Sequence, residues 1–391
     1  MNSLYLDYCA SAPMHPKVYE VLMQTSKELF ANPSSAHLLG FEVHEIIENS
    51  RDYIAKTLGV SSKEIVFTSG ATESNNLAIM GVSRAATKMK GGKVHIITST
   101  IEHSSVFNCF KHLEEEGFEV TYIPVDKNGR VSVDIIKKSL RENTALVSIM
   151  QVNNETGTIQ PIDEIALMLR EKKNIYFHVD GVQGFTKTSI NLKNIDLYTI
   201  SGHKIGAPKG IGILLLKEHI QLTPMIFGGG QEDGVRSGTP NVSGIVSITE
   251  AIKIGMLEKN EKMRYLKTLY DSLVHRLTDI PEIVINSPGG SLSSPHILNI
   301  SFNKPGLNSA ILINLLSKKG IIASSQSACS SKNSKQSRVL MEMTKDIVIS
   351  SNSVRFSFSE EVGEAEVDYL VNTLEEIISQ VKENGRFAVL T

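Results

Sequence analysis

The sequence predicts an α/β protein with a large domain, built on a mostly parallel seven-stranded sheet, and a smaller C-terminal α/β domain. Two observations predict this fold class. Between about residues 14 and 215, helical patterns alternate with short β-rich runs. In addition, the 391 residues exceed the size of roughly 250–300 residues at which a single core stops growing. We place the large domain at residues 14–257 and the small domain at residues 1–13 and 258–391.

Seven β-rich runs supply the strands of the predicted sheet. They lie at residues 64–68, 93–99, 119–125, 144–150, 174–180, 195–201 and 210–216. Ligands of parallel sheets bind at the carboxyl ends of the strands, so the segments that follow the runs must be considered together. These segments are polar and rich in glycine: SGATESNN, TIEHSS, QVNNETG, DGVQG and GHKIGAPKG. The sequence therefore predicts a binding site at this edge of the sheet.

The C-terminal part of the chain repeats the α/β alternation on a smaller scale. A loop, FGGGQEDGVRSGTPN, leads into a long helical stretch at about residues 241–278. The runs HILNISF, GIIASS and SVRFSFS then alternate with predicted helices at residues 308–319 and 363–382. The serine-rich stretch at about residues 324–337 contains Cys329 and little that is apolar, so we expect a mobile loop there.

Composition favours small-molecule chemistry. Hydrophobic residues make up 41% and charged residues 21% of the chain, and the net charge is −2. Acidic and basic residues are mixed, which gives no electrostatic footprint for direct binding of nucleic acid or a membrane surface. The start, MNSLYLDYCASAP, lacks the basic and apolar regions of a signal peptide. We therefore expect a cytoplasmic protein.

The three cysteines, Cys9, Cys109 and Cys329, are scattered and odd in number. This pattern predicts neither a disulfide framework nor a metal site, and it leaves at least one thiol free. Cys109 falls on the apolar face of the helical pattern SVFNCFKHL, which indicates packing. Cys329 has Lys332 and Lys335 nearby, which favour a reactive thiolate.

Of the segments that follow strands, one is suited to binding an anion and another to binding a cation. Ser69 to Glu73 close a strand and open a helix, so backbone N–H groups and the hydroxyl of Thr72 suit a phosphate. The alternative is an ordinary helix cap. Asp180 ends a strand, where an unpaired buried carboxylate is costly, and therefore suits a cation such as a protonated ring nitrogen. Gln183 would lie on the same side, and the alternative role for Asp180 is a helix cap.

Basic side chains after other strands suit covalent and ionic chemistry. Lys204 lies among small residues in SGHKIGAPKG and suits a Schiff-base amine, with Ser201 and His203 holding an anion beside it; the alternative is a solvated lysine. His103 suits stacking on a planar ring or acid–base chemistry, or alternatively a cap or core position. Arg355 suits a carboxylate fork, or alternatively a surface ion pair.

Seven motifs occur together in one order. They are TSGATESNN, TIEHSSV, VNNETGTIQPI, FHVDGVQ, SGHKIGAPKG, GGGQEDGVRSGTPNV and SSQSACSS. In combination they resemble the cysteine desulfurase family, within the class V aminotransferases of the type I pyridoxal-phosphate fold. The resemblance runs from YLDYCASAP to VRFSFSEE, almost the whole chain.

The resemblance implies pyridoxal 5′-phosphate as cofactor and a role for each candidate residue. Lys204 corresponds to the lysine that binds the cofactor, and His103 stacks on its ring. Asp180 pairs with the pyridine nitrogen and Gln183 with the phenolate oxygen. The phosphate cup comprises Ala71, Thr72, Ser201, His203 and, from the second subunit of a homodimer, Thr239. Asn154 and Arg355 hold the substrate carboxylate, and Cys329 forms the persulfide.

The implied reaction converts L-cysteine to L-alanine and transfers sulfur to Cys329. The implied acceptors are proteins such as an iron–sulfur scaffold or a tRNA-thiolation enzyme. The chain departs from the family pattern at LDYCASA, where a paired asparagine is usual, and at Gln326 and Ser359, where glycine is usual. The alternatives are selenocysteine lysis, another pyridoxal-phosphate reaction, or a non-catalytic dimeric scaffold.

Overall fold

A computed structural model describes residues 3–172, 174–303, 308–325 and 336–383. Helices α1 to α11 span Pro16–Glu28, Leu38–Leu58, Ala71–Lys90, Ser104–Glu115, Val133–Ser139, Ile162–Arg170, Val242–Thr278, Ser309–Lys318, Arg338–Thr344, Ile347–Ser351 and Glu364–Glu383. Strands β1 to β12 span Leu4–Tyr5, Ile65–Thr68, His95–Ser99, Glu119–Ile123, Thr144–Met150, Tyr176–Asp180, Leu197–Ser201, Gly212–Leu216, Ile283–Ile285, Ile297–Phe302, Ile321–Ile322 and Ser353–Ser357.

The main sheet has seven strands in the order β2-β8-β7-β6-β5-β3-β4. The contacts among β4, β3, β5, β6 and β7 are parallel, whereas β8 runs antiparallel to both β7 and β2. Each strand falls within one of the seven β-rich runs of the sequence. The predicted mostly parallel seven-stranded sheet is therefore confirmed.

Helices cover both faces of this sheet, which is why its central strands β3, β5, β6 and β7 are buried along almost their whole length. Side chains alternate between the faces. Val147 of β5 packs in a core with residues of α2, α6 and α7. Its neighbour Leu146 packs in the opposite core, with residues of α3 and α4. Two buried layers thus hold the carboxyl ends of the parallel strands at one edge.

The C-terminal part contains two smaller sheets. Strand β10 pairs antiparallel with β9 and β12, and β1 pairs parallel with β11. Their core includes Leu298 and Phe356 from the sheet, Leu370 from α11 and Leu6 from the N-terminal segment. The predicted smaller α/β unit is confirmed as an architecture, while its boundaries at residues 13/14 and 257/258 stay a prediction.

The 37-residue helix α7 connects the two parts. Its first half buries Ile245 and Ile252 in the core beneath the main sheet. Its second half buries Leu266 and Leu273 in the C-terminal core. Among the described helices, none has a stretch long and apolar enough to cross a membrane.

Candidate active site

One cavity of about 390 Å³ opens at the carboxyl ends of the parallel strands. It brings together ten of the predicted site residues from six separate segments of the chain. These residues are Ala71, Thr72, His103, Asn154, Asp180, Gln183, Ser201, His203, Lys204 and Arg355. Thr239 is exposed and lines a neighbouring cavity instead, and Cys329 lies outside the described residues.

The N-terminus of α3 forms one wall of this cavity. Its first residues are Ala71 and Thr72, and no side chain in the described residues caps this end of the helix. The first N–H groups of a helix have no acceptor within the helix and carry partial positive charge, so this wall suits an anion. Close backbone contact is needed here, since a Cβ on Gly212 would lie 2.6 Å from Gly70 Cα.

Asp180 ends β6 and is 5% exposed. Its Oδ2 accepts a hydrogen bond from Asn75 Nδ2 at 2.9 Å, and its Oδ1 accepts one from the Val182 N–H at 3.1 Å. Both partners are neutral, and no ion pair to Asp180 is formed among the described residues. A buried carboxylate with neutral partners is complementary to a cationic group in the cavity.

Lys204 lies in the short helical turn Gly202–Lys204, directly after β7. Its Nζ donates hydrogen bonds to the carbonyls of Cys9 at 2.5 Å and Ala10 at 2.8 Å. Burial lowers the pKa of Lys204 to about 8, and the charge of Arg355 acts in the same direction. The lysine is therefore held in the cavity and is far more easily deprotonated than a solvated lysine.

His103 caps α4 and also lines the cavity, so its cap position is compatible with the predicted role in the cavity. Its Nδ1 accepts from the Ser105 N–H at 3.2 Å and shares a hydrogen bond with Ser105 Oγ at 2.8 Å. Burial lowers the pKa of His103, which favours the neutral ring. Burial and the charge of Lys204 likewise lower the pKa of His203, to about 4.

Arg355 on β12 is 1% exposed. It donates from Nη2 to Asp7 Oδ1 at 2.8 Å and from Nη1 to the Asn154 carbonyl at 2.8 Å. Its Nε is buried and has no hydrogen-bond partner in the described residues. Asp7 therefore occupies part of the guanidinium that we predicted to bind a carboxylate, and the Nε–H donor stays available.

The N-terminal segment is the main contribution that sequence reasoning missed. Asp7 pairs with Arg355, and the Cys9 carbonyl accepts from both Lys204 and, at 3.1 Å, Gln183 Nε2. Backbone acceptors leave no signal in the sequence. Asn75 was also missed, although it lies four residues after Ala71 and hence on the same helix face, a signal that was available.

Two cysteines of the described chain are buried and free. Cys109 packs against α3 and donates from Sγ to the Ser105 carbonyl at 3.0 Å, and burial raises its pKa to about 12. Its predicted packing role is therefore confirmed. Within the described ranges, no group of three or more His, Cys, Asp or Glu side chains is placed to hold a metal ion.

Comparisons with known proteins agree with this geometry. A family model described as aminotransferase class-V matches residues 4–370. A cysteine desulfurase IscS of Dictyoglomus turgidum is 40% identical over 385 residues, covering 97% of this chain and 96% of the relative. A cysteine desulfurase IscS of Rickettsia prowazekii is 40% identical over 376 residues, covering 94% of this chain and 89% of the relative.

Solved structures give the same result. A NifS-like protein superposes with a TM-score of 0.89 at 38% identity, covering 96% of this chain and 99% of that chain. A structure titled SspA in complex with cysteine superposes with a TM-score of 0.80 at 34% identity, covering 91% of this chain and 99% of that chain. The fold and site define a class-V aminotransferase enzyme. Within that class, the chain belongs to the cysteine desulfurase family.

Proposed function

We propose that this protein is a pyridoxal 5′-phosphate-dependent cysteine desulfurase that converts L-cysteine to L-alanine and transfers the sulfur to Cys329. The observation that carries the proposal is the shared cavity of Lys204, Asp180 and the uncapped start of α3. These three features match an aldehyde, a protonated ring nitrogen and a phosphate respectively. One ligand that has all three groups is pyridoxal phosphate.

Each part of the cofactor has a matching part of the cavity. The phosphate binds the N–H groups of Ala71 and Thr72 together with the side chains of Ser201 and His203. Asp180 would hold the ring nitrogen, Gln183 would hold the ring oxygen, and His103 would contact the ring. When bound, the cofactor supplies an electron sink for charge that develops at the substrate Cα.

The substrate carboxylate binds at Arg355 and Asn154. The buried Nε of Arg355 has no partner in the described residues, and leaving such a donor unpaired is costly. Asp7 fixes the guanidinium from the other side through an ion pair of 2.8 Å. An arriving carboxylate therefore meets a donor that is already oriented, at little entropic cost.

Lys204 and Cys329 carry the proton and sulfur transfers. Because burial lowers the pKa of Lys204 to about 8, a far larger fraction of its amine is unprotonated near neutral pH than in a solvated lysine, and this amine accepts the proton from the substrate Cα. The Cys329 thiolate then attacks the substrate sulfur. The S–S bond forms as the C–S bond breaks, and the electron pair of the C–S bond goes to the substrate Cβ. Protonation of Cβ and return of the proton to Cα give alanine. The sulfur stays on Cys329 as a persulfide, and no external oxidant is consumed.

The working form is a homodimer in which Thr239 completes the phosphate site of the second subunit. Thr239 lies outside the cavity of its own chain. Several large apolar side chains are exposed, which is typical of a covered interface. They include Phe30 at 77%, Leu38 at 85%, Phe41 at 60% and Phe227 at 80% exposure. The persulfide is passed in the cytoplasm to an acceptor such as an iron–sulfur scaffold or a tRNA-thiolation enzyme.

Alanine release tests the proposal. The purified protein is loaded with pyridoxal phosphate, given L-cysteine and a reductant, and assayed for alanine by amino-acid analysis. We expect catalytic amounts of alanine from the parent protein and none from Lys204→Ala. A parent protein that binds the cofactor and releases no alanine from L-cysteine would refute the assignment.

A further inference from the structure

Arg338 is the first residue of α9 and makes three contacts with one short segment of the chain. Its Nη1 donates to the Thr100 carbonyl, and its Nη2 donates to the Glu102 carbonyl at 2.5 Å. Its guanidinium lies over the ring of Phe107, with Cζ 3.9 Å from the ring centroid. One planar side chain thus binds two carbonyls and an aromatic face simultaneously.

These contacts lie on both sides of His103. Glu102 directly precedes it, and Phe107 follows it by one helical turn, with its N–H bonded to the His103 carbonyl at 2.9 Å. His103 is itself the cap of α4, bonded to the Ser105 N–H. The backbone on either side of His103 is therefore fixed by the same guanidinium.

The start of α9 is itself firmly placed. Ser337 Oγ donates to Glu155 Oε2 at 2.5 Å and accepts from the Leu340 N–H at 3.0 Å. Leu340 packs in a small buried cluster with Ile101 and Met150. Arg338 therefore projects from a rigid support, which is a requirement for a residue that positions another.

We infer that Arg338 is a positioning residue that holds His103 against the cofactor, through its contacts with the Thr100 and Glu102 carbonyls and the Phe107 ring. The inference rests on the proposed function for the role of His103, but the contacts themselves are independent of it. Arg338 does not line the cavity that contains His103. It acts through the backbone of residues 100–107, and not on substrate.

The first test uses the cofactor-free protein and therefore does not depend on activity. Arg338→Met and Arg338→Lys are compared with the parent protein and with Arg276→Met, which removes an arginine paired with Asp368 at the surface. The rate of histidine modification by diethyl pyrocarbonate is followed by peptide mass spectrometry. We expect Arg338→Met to increase the rate at His103 about fivefold or more, since the backbone around it opens locally.

Fully buried His178 reports on global unfolding. If Arg338→Met exposes His178 as well, that variant has unfolded globally. Arg338→Lys then tests whether Arg338 acts locally on His103. An ammonium cannot bind both carbonyls in a planar fork, so Arg338→Lys should speed modification of His103 while His178 stays protected. A His103 rate equal to that of the parent in every variant that keeps His178 protected would overturn the inference.

The second test measures alanine release by the loaded enzyme. We expect kcat to fall about 10- to 100-fold in Arg338→Met, with KM within about twofold. The reason is that His103, which the substitution displaces, acts on substrate that is already bound. Arg276→Met should match the parent protein. An unchanged kcat in Arg338→Met overturns the inference. If the parent protein itself releases no alanine, the proposed function fails, whereas the His103 rates still decide the role of Arg338.

Discussion

Two half-buried lysines, Lys187 and Lys204, lie next to each other. Lys187 Nζ donates to the Lys204 carbonyl at 3.3 Å. Burial lowers the pKa of each side chain to about 8, from an ordinary value of 10.5. The charges of Lys204 and Lys262 lower the pKa of Lys187 further, and the charge of Arg355 lowers that of Lys204. The protein therefore holds amines at this position at the expense of stability, which is common where an amine takes part in chemistry.

These lysines make the stability of the cofactor-free protein depend on pH. Between about pH 8 and 10.5 the unfolded chain keeps protons that the folded chain has released, so the free energy of unfolding rises with pH. We expect Lys187→Met to reduce this slope by about 1.4 kcal/mol per pH unit at most. Urea unfolding at several pH values measures it, with exposed Lys127→Met as control. Equal slopes in the parent and Lys187→Met would contradict the account.

The carboxylate of Asp180 provides a second prediction. Asp180→Asn keeps the size of the side chain and removes the charge that we propose to pair with the ring nitrogen. We expect the affinity for pyridoxal phosphate to fall about 10- to 100-fold, the value of one hydrogen bond to a charged group. Absorbance titration measures this affinity, and Asp134→Asn on the exposed side of α5 should leave it unchanged. Equal affinity for Asp180→Asn and the parent would argue against the assigned orientation of the ring.

Helix α3 has its uncapped end at the cavity because β8 has a glycine where the two backbones meet. A Cβ on Gly212 would lie 2.6 Å from Gly70 Cα and 2.8 Å from Gly70 C. Real Cβ atoms do not approach backbone atoms this closely, so a larger residue must displace the start of α3. The proposed phosphate site is consequently a property of how a strand and a helix pack together.

Gly212→Ala tests this packing. We expect the affinity for pyridoxal phosphate to fall about tenfold or more, because the first N–H groups of α3 would no longer point toward the bound phosphate. Gly92→Ala is the matched control, since a Cβ there meets nothing within 4 Å and the residue does not need a positive φ. Cofactor titration and thermal unfolding of both variants decide the question. Equal affinity in the two variants would show that the contact does not shape the site.

The association of two chains is the prediction for the molecule as a whole. Light scattering coupled to size exclusion should give twice the chain mass of 42.9 kDa. The double change of Leu38→Glu and Phe41→Glu places charge on two exposed apolar positions and should favour the monomer. We expect the monomer to bind pyridoxal phosphate more weakly, because Thr239 of the second chain is lost. Ile347→Glu, at an exposed position of α10, serves as the control. A monomeric parent protein would contradict the proposal.

Much of the fold was predictable, because the buried strands of a parallel sheet are continuous apolar runs and all seven were recognised. Most of the cavity was predictable too, because its side chains directly follow those strands. The two short strands β1 and β9 were not recognised, since two or three residues carry too little pattern, whereas β11 lies within the run GIIASS. The pairs Asp7–Arg355 and Lys204–Cys9 join residues 348 and 195 positions apart, and no local pattern encodes such contacts.

A single turnover tests the central claim most directly. The enzyme loaded with pyridoxal phosphate is mixed with one equivalent of L-cysteine without reductant, and both alanine and the mass of the peptide that contains Cys329 are measured. The account predicts one alanine per sulfur gained on Cys329, and neither product in Lys204→Ala. Alanine without sulfur on Cys329, or no alanine while the cofactor is bound, would contradict it.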